Sequence, residues 1–332
     1  MTIALLLIAL LIILVGAETF TNALEHLGER LKISEGVTGS IFAAVGTALP
    51  ETMVPIVAIF SASSGDIGHE VGVGAILGAP MMLATVAFFL MAVFAAPKRG
   101  WGGSFNPEHT GLQRDLGWFL LAFGVSSAAI FIPHEAPEVR AMIAFSLVLI
   151  YFIYLMQTVR ASAKLVQDGH HTEADHPLYL SYIKLPENMA TILLQLAIGL
   201  VLIVLGAKGF VYGIEALSAW VGLSALALSL LIIPVATELP EKVNSILWIR
   251  RHRDTLAFGN ITGAMVFQGS LLPAIGVMLT PWEPRPEVLL GLALTLLAGI
   301  YLYALARRGT LRPYHFILNG LCYAAYFLIM VG

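Results

Sequence analysis

An all-α polytopic membrane protein of ten transmembrane helices, arranged as two inverted five-helix repeats with both termini outside, is the fold class this sequence predicts. Three observations carry that expectation. Of 332 residues, 58% are hydrophobic and 12% charged, and the mean hydropathy is +0.86, so there is too little polar surface to cover a soluble globule. Ten apolar runs have the length of about 20 residues that crosses a hydrocarbon core of about 30 Å. A spaced residue set also occurs twice, 190 positions apart. Gly16, Ala17, Phe20, Glu25, Leu27, Thr47, Leu49, Pro50 and Glu51 match Gly206, Ala207, Phe210, Glu215, Leu217, Thr237, Leu239, Pro240 and Glu241. Nine matches at one offset mark an internal duplication.

The runs follow one another with basic residues after every second one. Span one, residues 2–17, is followed by Arg30 and Lys32. Its Val15-Gly16-Ala17 looks like a small-residue cleavage site, but no basic segment precedes it, it is long for a leader, and Gly16-Ala17 recurs in the second copy. The run is therefore expected to remain as a span. Span two covers 37–60, and span three covers 71–95, followed by Lys98, Arg99 and Arg114. Spans four and five cover 115–132 and 138–159, the latter followed by Arg160, Lys164 and Lys184. Span six covers 188–208. Span seven covers 222–248 and leads to Arg250, Arg251 and Arg253. Span eight covers 256–279. Span nine covers 287–305 before Arg307, Arg308 and Arg312, and span ten covers 313–331.

Connections after odd-numbered spans thus hold 14 of the 18 basic residues. On the side of the connections after even-numbered spans lie only Arg140, at the start of span five, Lys208, at the border of span six, and Arg285, and Lys242 lies inside span seven. The positive-inside rule places the odd connections in the cytoplasm. Five spans per repeat make the second copy enter from the opposite face, so the repeats are inverted. The expected organisation is a first repeat over 1–160, a cytoplasmic linker over 161–187 and a second repeat over 188–332.

Several functional classes are excluded at this stage. The single cysteine, Cys322, allows neither an intrachain disulfide nor a cysteine metal cluster. A net charge of -3 without a basic stripe gives no sign of nucleic acid. No nucleophile with its base, phosphate-cradling loop or cofactor fingerprint suggests an enzyme, and no obligate protein partner is evident. The partners implied are the lipid bilayer and inorganic cations. The linker carries His170, His171, Glu173, Asp175 and His176, which has the chemistry of a transition-metal site but reads more simply as a solvated connection. Glu25 to Glu35 reads as a wet connection too. His69 and Glu70 either line an entrance at the end of span three or form a solvated helix terminus.

Chemistry concentrates at the two duplicated glutamates. Span two reads Gly46-Thr47-Ala48-Leu49-Pro50-Glu51, and span seven reads Ala236-Thr237-Glu238-Leu239-Pro240-Glu241. An acidic residue at the centre of a membrane helix costs roughly 2.5–3.5 kcal/mol to insert. A helical proline cannot donate to the carbonyl four residues back, so Pro50 releases the oxygen of Gly46 and Pro240 that of Ala236. Each run then offers a carbonyl, a threonine hydroxyl and a carboxylate within about one turn, the oxygen donors that hard cations prefer. Broken helices at mid-membrane assemble sites in this way.

These residues resemble the calcium/cation antiporter superfamily, which includes the sodium/calcium exchangers, in its prokaryotic ten-helix form. The resemblance covers essentially the whole chain, with two inverted repeats carrying a G-T-S-x-P-E signature. Gly222-Leu223-Ser224 is similar to the family's entry to its second signature helix. Gly259-Asn260-Ile261-Thr262-Gly263-Ala264-Met265-Val266-Phe267-Gln268 is similar to its downstream G-N-x-x-G-S-N-x-F-[ND] motif, whose first-half counterpart here is Gly74 to Leu83. The resemblance implies Glu51 and Glu241 as the two glutamate ligands. Gln268 and Leu83 then stand where the family has Asn or Asp. The signature serines become Ala48 and Glu238, and the downstream serines become Ala79 and Ala264.

The altered positions remove neutral oxygen donors and add a third carboxylate. Glu238 lies four residues before Lys242, the favourable order for an ion pair on one helix face. Either the two pair, leaving Glu51 and Glu241 as the exchangeable carboxylates, or Glu238 points into the site and crowds three carboxylates, which favours proton competition. Gly72, Gly74, Gly78, Gly259 and Gly263 suit close packing of spans three and eight. The resemblance implies alternating-access antiport of Na⁺ or H⁺ against Ca²⁺ or another cation in the cell membrane, with spans one and six as a gating bundle and no cofactor beyond the transported ions. The alternative is a non-transporting relative serving as a membrane sensor or structural protein.

Overall fold

The computed structural model describes residues 2–30, 43–61, 65–166 and 176–331, with side chains for these except 43–50, 61, 65, 66, 162–166, 239–241, 244 and 331. Its helices are α1 (Thr2–Arg30), α2 (Ala43–Ser61), α3 (Gly65–Met82), α4 (Phe88–Arg99), α5 (His109–Ala128), α6 (Pro137–Val166), α7 (Met189–Val221), α8 (Ala225–Arg250), α9 (Asp254–Leu279), α10 (Pro286–Arg308) and α11 (Ile317–Val331). A π turn over Leu83–Ala87 joins α3 to α4 without a break. Among the described residues seven helical stretches are long and apolar enough to cross a membrane. They are α1, the α3–α4 run from Ile67 to Arg99, α5 with its short 3-10 extension, α6, α7, α9 and α10. Glu51–Phe60 and Ala225–Glu238 are shorter apolar stretches within α2 and α8. In α8 the charged Glu238, Glu241 and Lys242 cut the apolar stretch short although the helix runs on.

Two helices extend past the expected span ends. α1 continues from 17 to Arg30 and so takes up Glu25 and Glu29, and α7 continues from 208 to Val221, taking up Lys208 and Glu215. Leaving lipid does not itself end a helix; a backbone signal does. For α7 that signal is Gly222, whose φ of +77° only glycine adopts without strain. Two residues on, the Ser224 hydroxyl accepts from the Ala227 amide at 3.1 Å and caps the start of α8.

The chain packs as two units, Met1–Ser63 with Leu155–Leu217, and Ser64–Tyr154 with Ser218–Gly332. Each draws on both sequence halves, so packing cuts across the repeat boundaries read from the sequence. In the first unit α1 lies against α7 along a seam of glycines. A Cβ on Gly16 would fall 2.9 Å from the Ile203 amide nitrogen, and one on Gly206 2.9 Å from that of Ile13. The duplicated Gly16 and Gly206 therefore serve this contact. The buried Gln195 amide donates to the Asn22 side-chain oxygen at 2.8 Å and to the Thr19 carbonyl at 3.0 Å. Asn22 donates in turn to the carbonyls of His176 and Pro177, which fastens the end of the linker to α1. Nearby the Tyr179 hydroxyl donates to Glu18 at 2.7 Å. Burial first, and then the Glu18 carboxylate, push its pKa up to about 12.

In the second unit the largest contact is α3 on α8. Gly74 and Gly78 bring α3 onto the α8 backbone: a Cβ on Gly74 would lie 2.5 Å from the Ser229 Cβ, and one on Gly78 2.7 Å from the Pro234 ring. Gly259 meets nothing within 4 Å and Gly263 approaches only the Tyr154 hydroxyl, at 3.7 Å. The glycines thus divide, with Gly74 and Gly78 of α3 at a tight crossing and Gly259 and Gly263 of α9 not. At one end of the unit Arg99 clamps Asp254 through 2.8 and 2.5 Å contacts, both side chains being 6% exposed. Phe88, Phe105, Phe258 and Phe316 pack edge to face and stacked beside it. Arg140 donates to the carbonyls of Val277, Thr280 and Pro281 and so caps the end of α9.

Candidate ion-binding site

The two copies of the signature lie in different packing units and are described in turn. In the first unit, Glu51 on α2 is buried, with 7% exposure. Pro50, the residue before it, lies within α2, which runs on unbroken. The side chains of Thr47 and Pro50, and the surroundings of Gly46, fall outside the described residues.

In the second unit the signature sits in α8. Pro240 likewise lies inside a helix that continues to Arg250. Each proline thus withdraws one hydrogen bond from a continuous helix and does not break it, because the flanking turns keep their own bonds. Thr237 is buried, and its hydroxyl donates to the Ile233 carbonyl of its own helix at 3.0 Å, which leaves its oxygen lone pairs as acceptors. Ala236 is half-buried. The Pro240 and Glu241 side chains are outside the described residues.

Glu238 is fully buried and is brought together with two partners. The Lys242 ammonium, 2% exposed, lies 3.4 Å from its Oε2. From α9, the fully buried Gln268 donates through Nε2 to its Oε1. Of the two arrangements weighed from the sequence, the structure has Glu238 paired with Lys242, and it adds Gln268 to that pair. Removing these charges from water is costly unless both are matched, and the i,i+4 spacing with the amide behind it supplies the matching.

Leu83, the first-half counterpart of Gln268, opens the π turn and is fully buried among apolar side chains. A π turn misdirects backbone carbonyls. Here Asn319 of α11 donates to the Ala84 carbonyl at 2.7 Å, and the Thr85 hydroxyl donates to that of Met81 at 2.5 Å. Asn260 of the downstream motif donates to Ser245 of α8 at 2.8 Å and ties the two helices together.

Sequence reasoning passed over Asp115 of α5. It is buried, accepts from the Thr262 hydroxyl at 2.9 Å and lies 3.2 Å from Arg114. The available signal was a carboxylate at the first position of span four. His69 and Glu70 line a cavity of about 310 Å³ with Trp282, Glu283 and Arg285, and Arg285 pairs with Glu70 at 2.5 Å. That pairing, first through the hydrogen bond that Arg285 donates to Glu70, raises the Arg285 pKa. Of the histidine cluster in the linker, only His176 lies among the described residues. There, no group of three or more His, Cys, Asp or Glu side chains is placed to hold a metal.

An all-helical membrane protein with glutamates buried in duplicated proline-containing helices belongs to the class of multi-pass carriers. The sequence profile of the sodium/calcium exchanger protein family matches residues 1–159 and 191–332. The chain belongs to that family, whose members exchange ions and are not enzymes. The inner membrane protein YrbG of Escherichia coli (strain K12) is 23% identical over 283 residues, which span 85% of this chain and 81% of that protein. The fold is shared with the H⁺/Ca²⁺ exchanger CAX, at a TM-score of 0.69 and 16% identity over 99% of this chain and 86% of that one. It is also shared with the sodium-calcium exchanger NCX_Mj, at 0.58 and 18% identity over 98% and 97%.

Proposed function

We propose that this protein is a secondary active cation antiporter of the cell membrane, exchanging Na⁺ or H⁺ for Ca²⁺ or another cation by alternating access, with Glu51 and Glu241 as the ion-carrying carboxylates. The observation that carries the reading is the duplicated proline-glutamate signature, with Glu51 buried in an apolar helix. An acidic residue held in such a place at a cost of roughly 2.5–3.5 kcal/mol marks an ion pathway before it marks packing. Ten spans in two inverted repeats, with the termini outside, agree with the distribution of basic residues and with the family. Relatives named as H⁺/Ca²⁺ and sodium-calcium exchangers support both candidate coupling ions. Thr47 and Thr237, with the carbonyls of Gly46 and Ala236, would supply neutral oxygens beside the carboxylates.

The test is Ca²⁺ uptake into proteoliposomes driven by an outward Na⁺ gradient and, separately, by an outward H⁺ gradient. Glu51→Gln and Glu241→Gln serve as controls. Uptake lost in both variants is expected. Cation fluxes identical in wild type and variants would overturn the reading and favour a non-transporting membrane protein.

A further inference from the structure

Glu238 adds a charge where the family resemblance has a neutral serine, so an extra cation is needed to balance it. Lys242 is placed to be that cation. Its ammonium is 3.4 Å from Oε2, with 2% exposure, on the same helix and one turn along. The other carboxylate oxygen accepts from Gln268, a residue of α9 that is itself fully buried. Both oxygens are thus engaged by groups of the protein. We propose that Lys242 is a tethered cation: its ammonium permanently occupies, at Glu238, a position that a transported monovalent cation would otherwise fill.

The consequence is a fixed ion count. With the carboxylate of Glu238 neutralised from within, Glu238 and Gln268 leave the set of exchangeable ligands, and the number of monovalent ions bound per cycle is smaller by one than the carboxylates alone would set. Gln268 acts as a positioning residue, because its amide orients Glu238 toward Lys242. A primary ammonium suits this duty: it carries one positive charge and three donors on a flexible stem. The inference deepens the antiporter reading and rests on it for its meaning, but its test reads binding and not flux.

Sodium binding is measured with ²²Na⁺ on purified protein in detergent, for wild type, K242Q, K242A and E238Q/K242Q. Thermal unfolding is followed in NaCl and in choline chloride. Expected is one additional Na⁺ per chain in K242Q and K242A relative to wild type, with a stabilisation by NaCl over choline larger than that of wild type. In E238Q/K242Q, where neither charge remains, the extra ion and the extra stabilisation both disappear. An unchanged Na⁺ count in the single variants, or a count in the double variant equal to theirs, overturns the proposal. So does the failure of both single variants to survive purification even in NaCl, since sodium should replace the ammonium. Loss of the antiporter reading would show separately, as wild-type flux insensitive to Glu51→Gln, and would leave the ion count to be read on its own.

Discussion

Replacing Gly78 or Gly74 by alanine probes the α3–α8 crossing directly. At Gly74 the new Cβ would sit 2.5 Å from the Ser229 Cβ and 2.8 Å from the Leu226 carbonyl oxygen, and at Gly78 it would sit 2.7 Å from the Pro234 ring and closer still to the Leu230 carbonyl. Carbon atoms rest at about 3.5–4.0 Å, so the helices must part by about 1 Å, and no flexible side chain can yield in place of that backbone. Overpacking of this kind costs about 1–3 kcal/mol per site. Gly259→Ala is the internal control. Its Cβ meets nothing within 4 Å, and alanine gains up to about 1 kcal/mol in helix propensity over glycine. Thermal unfolding of purified variants in detergent should therefore show Gly74→Ala and Gly78→Ala melting clearly below wild type, and Gly259→Ala at or above it. Equal melting of all three would refute the assignment of the α3 glycines to a backbone contact.

Other predictions address the surrounding scaffold. Asp254→Asn removes the acid from a buried bidentate pair with Arg99 and should destabilise by about 3–5 kcal/mol, read as a lowered melting temperature. Asn319→Ala takes the donor from the Ala84 carbonyl in the π turn and should cost about 1–3 kcal/mol, with faster amide exchange around residues 83–87. Glu108 caps α5, accepting from the amides of Thr110 at 2.8 Å and Gly111 at 2.5 Å. Glu108→Ala should cost about 1 kcal/mol at neutral pH. The Thr110 hydroxyl, followed by those two amides, holds the Glu108 carboxyl below its ordinary 4.5. Its contribution is thus complete above 4.5 and fades as pH falls through the lowered value, so wild-type and variant stabilities should converge in acid.

The class of protein, the positions of the apolar runs and the duplicated signature are legible in the sequence because each rests on local composition or on a fixed offset. The pairing of Glu238 with Lys242 is legible for the same reason, since four residues on a helix define one face. What escaped are contacts across long separations. Asn319 serves a carbonyl 235 residues away, and Thr262 donates to Asp115 from 147 residues along the chain, distances at which no periodicity speaks. The π turn at Leu83 was hidden because its residues are ordinary apolar ones. The ends of α1 and α7 were set too early because hydropathy marks where lipid stops, whereas capping residues mark where a helix stops. The five glycines looked alike as a pattern, and only the partner helix separates Gly74 and Gly78 from Gly259 and Gly263.

The crowding of Glu238, Glu241 and Lys242 into one stretch of α8 also constrains how the chain is made. As an isolated segment leaving the ribosome, α8 would carry three charges into lipid at a cost of up to roughly 8–10 kcal/mol. The pairing of Glu238 with Lys242 on the same helix offsets part of that cost, and Gln268, on the following helix, supplies the remaining partner of Glu238. Insertion of α8 together with α9 as a hairpin is therefore favoured over insertion of α8 alone. Nascent chains cut after α8 should leave it untranslocated in glycosylation mapping, whereas chains extended through α9 should retain it.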